Sequence, residues 1–125
     1  MRVLAARGDT VFSVGRSVRK SNHIQADIGL QNCHEEILHA LGKKKVDNLV
    51  FSHRYRGSDS ERDSDISLNA IIRIVEGLEN SFSRDASIVI LSSVAAISVL
   101  DEQSSTYHAT RAGLEGLTRF FAVRL

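Results

Sequence analysis

The chain has 125 residues, with 16 basic and 15 acidic side chains and a formal net charge of +1. So balanced a charge gives no footprint for nucleic acid or an anionic membrane surface, and no apolar run reaches the length of a membrane span or the core of a signal peptide. A single cysteine, Cys33, excludes an internal disulfide and accords with a reducing, cytoplasmic setting.

In chain order, residues 10–14 (TVFSV) are apolar enough for a strand and end in Gly15, Arg16 and Ser17, a turn followed by basic residues. Residues 23–27 (HIQAD) predict a short second strand. Asn32 with Glu35 three positions on has the pattern of a capping box. The helix behind it buries Ile37, Leu38 and Leu41 and stops at Gly42. Cys33, His34 and His39 do not read as a metal site, because histidines five apart splay on a helix, unlike those of His-Glu-x-x-His. Residues 46–51 (VDNLVF) predict a third strand. Residues 53–65 (HRYRGSDSERDSD) are dense in charge and without apolar period, which predicts a mobile surface loop. From Asp65 to about Phe82, Ile66, Ile71, Ile74, Val75 and Leu78 recur at helical intervals. Residues 87–92 (SIVILS) form a short, β-branched, apolar run that suits a strand buried in a parallel sheet. From about Ser105 to Leu125, Ala109, Ala112, Leu117, Phe120, Phe121 and Ala122 repeat as on a helix. Strands alternating with helices predict an α/β fold with a parallel sheet. Without proline, internal repeat or low-complexity linker, the chain reads as one domain, 1–125.

Ser92 and Ser93 end the fourth strand, and Ser93 stands fourteen residues before Tyr107. Arg111 follows Tyr107 by four, so on a helix the two share a face and point beyond the carboxyl end of the strand, where open α/β sheets bind ligands. A free phenol titrates near ~10, and a cation within about 4–6 Å lowers such a pKa by roughly 1–3 units, which makes proton transfer at a carbonyl or alcohol oxygen feasible. The bland alternative is a tyrosine near a helix start and a solvated arginine. The serine and the strand-then-helix context weigh against it.

These residues resemble the short-chain dehydrogenase/reductase family, marked by Ser, then Tyr-x-x-x-Lys, on a Rossmann-type fold. The runs IVILSSVAAISV and STYHATRAGLEGLTRFFAVRL are similar to the family's catalytic strand and helix. The resemblance implies that Ser93 positions the substrate oxygen and that Tyr107 is the general acid/base. It makes Asn69, twenty-four residues before Ser93, the helix-borne catalytic asparagine. Arg111 departs from the family lysine, which acts on the tyrosine and on the nicotinamide ribose. Arginine keeps the charge and a fork of donors but is bulkier and effectively never deprotonates, so it fits the electrostatic role and the ribose contact better than a proton relay.

The resemblance also implies a nicotinamide cofactor, held in part by Tyr107 and Arg111. After the first predicted strand, where an acidic residue would bind the ribose of NAD, stand Arg16 and Ser17. They suit a 2′-phosphate and favour NADP(H) over NAD(H), against a solvated loop arginine as the plain alternative. Asp27 resembles the family aspartate beside the adenine. In place of Asn-Asn-Ala-Gly after the third strand the chain has Phe51-Ser52-His53-Arg54, and the next segment brings Arg54 or Arg56 to the border of the site, within reach of an anionic substrate.

No Thr-Gly-x-x-x-Gly-x-Gly turn, which holds a pyrophosphate, is present, and the start of the chain is similar to the end of the family's first helix and its second strand. The expected fold is a partial Rossmann-like, doubly wound parallel sheet lacking the first and the C-terminal strands: a fragment or a shortened gene product. In the family order 3-2-1-4-5 the first strand is central. The strand at Val11 must then pair with that at Leu49, or a second chain must fill the gap. The implied function is NADP-dependent hydride transfer on a small carbonyl or alcohol, or a fragment of such an enzyme. The alternatives are a catalytically silent module for binding or assembly and a non-functional gene remnant. A homo-oligomer through helices 66–82 and 105–125 is expected by the same resemblance.

Overall fold

The computed structural model describes residues 4, 6–17 and 22–125. The helical reading of the chain's start rests partly on residues 1–3 and 5, and the basic run after Ser17 on residues 18–21, so both lie outside the described residues.

The fold is α/β with parallel strands. Strand β1 (Ser13–Gly15) pairs in parallel with β2 (His23–Gln25), Val14 opposite Ile24. After helix α1 (Cys33–Leu41), strand β3 (Val46–Phe51) pairs in parallel with β4 (Phe82–Ile90), Val50 opposite Val89. Between β3 and β4 runs one helical stretch in three parts: α2 (Ser60–Ser64), a π-helical turn (Asp65–Asn69) and α3 (Ala70–Gly77). A short 3-10 turn (Val94–Ala96) then leads to α4 (Ser105–Arg124).

Several expected boundaries move. β1 starts at Ser13 rather than Thr10, β2 ends at Gln25, and β4 begins at Phe82, five residues before the apolar run that predicts it. The capping box does not form: Asn32 gives α1 no side-chain hydrogen bond, while Gly42 ends it at φ +59° with its amide on the Leu38 carbonyl. The segment 53–65 is not all loop, because Asp59 caps α2 by accepting from the Arg62 amide at 3.0 Å and starts a helix within the charged run.

The two pairs of strands remain separate sheets, so among the described residues β1 does not pair with β3. Nor is the β4 run buried on both faces. Ile88 and Ile90 lie against the core, whereas Val89, Leu91 and their neighbour Val50 are exposed. One face of the β3–β4 sheet is thus covered by helices and the other is open, the period-2 consequence of one-sided packing. The core gathers Ile37 and Leu41 of α1, Phe51 of β3, Ile71, Ile74 and Val75 of α3, and Leu114 and Phe121 of α4.

Cys33 is 0 % exposed, and burial is the main cause that pushes its thiol above the ordinary range. A disulfide reagent that reports thiolate should therefore react with the native chain only as fast as it unfolds. Labelling within seconds in buffer, at the rate seen in denaturant, would contradict this packing.

Candidate functional site

Tyr107 sits in the first turn of α4, whose N-terminus is capped by Ser104 accepting from the Tyr107 amide at 3.1 Å. One helical turn on, the Arg111 guanidinium carbon lies 5.0 Å from the centre of the Tyr107 ring. Arg54, three residues beyond the end of β3, places its guanidinium carbon 4.7 Å from the same ring. Tyr107 therefore meets two cations at distances typical of cation–π contact. Arg54 is held there by donating to the Gln103 Oε1 at 2.9 Å.

Arg111 is not a solvated charge. It is 3 % exposed and donates through Nη2 to the Ser67 hydroxyl at 2.7 Å. Ser67, 1 % exposed, donates in turn to the Asp63 carboxylate at 2.7 Å, and Asp63 is itself buried. A hydroxyl thus joins a buried cation to a buried anion, accepting from the one and donating to the other. Gly113 makes the approach possible: a Cβ there would lie 3.0 Å from the Leu68 side chain of the π-helical turn. The Arg111 Nε remains without a partner.

Ser67 and Asp63, which the sequence does not single out, are the polar side chains linked to Arg111. Asn69, which the resemblance singles out, is exposed and donates its amide to Asp65 Oδ1 at 3.3 Å. Positions two apart on a helix face nearly opposite directions, so Ser67 is buried while Asn69 is exposed. Asp63 and Ser67 continue the buried line of Ile71, Ile74 and Leu78 at steps of three and four, a signal that two polar residues there have a buried partner.

His53 closes the π-helical turn from the other side. Its Nε2 donates to the Ile66 carbonyl at 2.8 Å, so His53, in the segment that stands in place of Asn-Asn-Ala-Gly, has a structural task. Burial, and to a lesser degree the Arg111 charge, hold the imidazole below the ordinary histidine value of ~6.5, against the raising effect of the Ile66 bond. A depressed histidine is neutral when folded, so its contribution is complete above the unfolded pKa and falls as pH drops below it. Unfolding free energy should decline from pH 7.5 to 5.5 by more in the wild type than in His53→Gln, which keeps a donor for Ile66. Parallel declines in denaturant titrations would refute the assignment.

Of the two serines, Ser92 donates to the Arg111 backbone carbonyl at 3.0 Å and fastens β4's end to α4. The Ser93 oxygen accepts from the Ala95 amide at 3.3 Å, which leaves its own proton free to donate. The turn it caps packs against α4, so Ser93, Tyr107 and Arg111 belong to one end of the β3–β4 sheet. Arg16 and Ser17 are exposed beyond the end of β1, and among the described residues Arg16 pairs with no carboxylate. Asp27, beyond β2, accepts from the Gly29 amide at 3.0 Å and shapes its own turn. Among the described residues no helix is long and apolar enough to cross a membrane.

Parallel strands with a tyrosine and a buried cation beyond their ends define a class of α/β protein rather than one activity. A family model described as enoyl-(acyl carrier protein) reductase matches residues 38–125. A short chain dehydrogenase family protein from Francisella tularensis superposes with a TM-score of 0.81 at 22 % identity, over 95 % of this chain and 54 % of that one. A carbonyl reductase from Pseudomonas aeruginosa, in complex with NADP, gives 0.76 at 22 % identity over 99 % and 69 %. A Brucella ovis oxidoreductase of the short chain dehydrogenase/reductase family, with a partially ordered NAD, gives 0.79 at 19 % over 98 % and 69 %. No curated protein matches the chain. The chain belongs to the short-chain dehydrogenase/reductase family, and it spans about half the length of the Francisella protein.

Proposed function

We propose that this chain carries the catalytic part of an NADP-dependent oxidoreductase acting on a small carbonyl or alcohol. The observation that carries the reading is Tyr107 flanked by the Arg111 and Arg54 guanidinium groups at 5.0 and 4.7 Å, beyond the ends of β3 and β4. NADPH, when bound, supplies the hydride. Tyr107 gives its phenolic proton to the substrate oxygen, and Ser93 donates a hydrogen bond to the same oxygen. Arg111 balances the negative charge that develops on the ring. Arg111, turned toward Ser67, acts on Tyr107 through its charge rather than as an exposed ligand for a sugar. Asn69, on this geometry, has its amide directed to Asp65.

Arg16 and Ser17 fit a 2′-phosphate: both are exposed, and Arg16 has no carboxylate partner among the described residues. The complexes of the Pseudomonas reductase with NADP and of the Brucella protein with NAD support a nicotinamide cofactor of either kind, and Arg16 favours NADP. Self-association through helices 66–82 and 105–125 belongs to the same reading, and Phe120, Val123 and Leu125 are exposed at the end of the latter.

A second reading, a silent module for binding or assembly, is favoured by one observation: Arg111 is tied into a buried polar chain with Ser67 and Asp63. NADPH fluorescence titration separates the two. The oxidoreductase reading expects binding of NADPH over NADH, with the preference lost in Arg16→Ala. Absence of binding of either nucleotide would sink it in favour of the silent module.

A further inference from the structure

Beside Tyr107 lies a cavity of about 370 Å³ lined by Arg54, Tyr55, Arg56, Asp63, Gln103 and Tyr107, among others. Two of these carry positive charge. The single acidic side chain, Asp63, is 8 % exposed and already accepts from Ser67. Among the described residues neither Arg54 nor Arg56 pairs with a carboxylate. Arg54 is positioned rather than free. One nitrogen is used on Gln103 and its plane is held by the Tyr107 ring, yet most of a guanidinium's five N–H donors remain.

From this geometry we infer that the substrate is an oxo or hydroxy acid whose carboxylate is bound by Arg54, with Arg56 adding charge at the rim. The inference rests on the oxidoreductase reading and names the substrate class of that same site. A guanidinium fork matches a carboxylate in shape and charge. With the guanidinium carbon 4.7 Å from the tyrosine ring, the acid group must stand only a few bonds from the reacting carbonyl. A short 2- or 3-oxo acid meets that condition. A long neutral carbonyl compound leaves the remaining donors of both arginines to water.

Two probes of nearly equal shape decide the point: acetoacetate and its methyl ester, titrated into the full chain and followed by amide proton–nitrogen spectra. The expected result is a set of shifts centred on Arg54, Gln103 and Tyr107, with acetoacetate binding roughly tenfold tighter or more than the ester. Arg54→Gln, an exposed change, should remove that preference. Equal binding of acid and ester, or a preference that survives Arg54→Gln with the shifts elsewhere, would overturn the inference and leave NADPH binding untouched. A preference that persists in a chain that binds no NADPH would instead sink the oxidoreductase reading and keep the anion site.

Discussion

Ser67→Ala should destabilise the chain by about 2–4 kcal/mol, far beyond what removal of one hydroxyl from a surface serine would do. The alanine fits the space, so no strain enters. What is lost is the oxygen that accepts from Arg111 at 2.7 Å and donates to Asp63 at 2.7 Å. Arg111 is 3 % exposed and Ser67 1 %, so water does not replace the missing partner without opening the contact between α4 and the π-helical turn. Urea unfolding should show a lower midpoint with an unchanged slope, the sign of lost stability rather than a different denatured state. Arg111→Met removes the cation but leaves Asp63 bonded to Ser67, and it should cost less than Ser67→Ala. Equal stability of Ser67→Ala and wild type would show that the hydroxyl bridge contributes nothing.

Tyr107→Phe should lower carbonyl reduction by about 10²–10⁴-fold on the proposed reading, because the proton donor is gone while the ring remains. Stability should change little, since among the described residues the Tyr107 hydroxyl makes no hydrogen bond and only the ring faces the two arginines. NADPH affinity is expected to hold within a few-fold. A variant that keeps wild-type turnover would remove Tyr107 from the chemistry altogether, and one that merely unfolds would be recognised by its denaturant midpoint.

Much of the architecture was legible because the apolar periods are long and clean. β3 falls on residues 46–51 and α4 on Ser105–Arg124, where cap, period and length agree. The Tyr107–Arg111 pair was equally legible, since a spacing of four on a helix fixes a shared face. The misses have physical causes. The extension of β4 back to Phe82 runs through Ser83, Arg84 and Asp85, and it rests on Phe82 pairing with Val46 across an irregularity in the register, a tertiary matter that local propensity does not encode. Residues 60–64 look like loop until Asp59 is seen to cap them. Asn69 was singled out by the resemblance to the family's catalytic asparagine, whereas the burial pattern of residues 63, 67, 71 and 74 marks Ser67 as the polar residue that meets Arg111. Nothing in the sequence alone places Arg54 on Tyr107, because that contact joins residues fifty-three positions apart through a loop.

The most direct test follows deuterium. The chain is incubated with NADPH carrying deuterium at the transferred position and with a panel of aldehydes and short oxo acids, and the alcohols are weighed by mass spectrometry. One deuterium is expected at the former carbonyl carbon of at least one product, in lower yield from Tyr107→Phe. Bound NADPH with no labelled alcohol from any member of the panel would contradict it, leaving the silent binding module as the reading of this site.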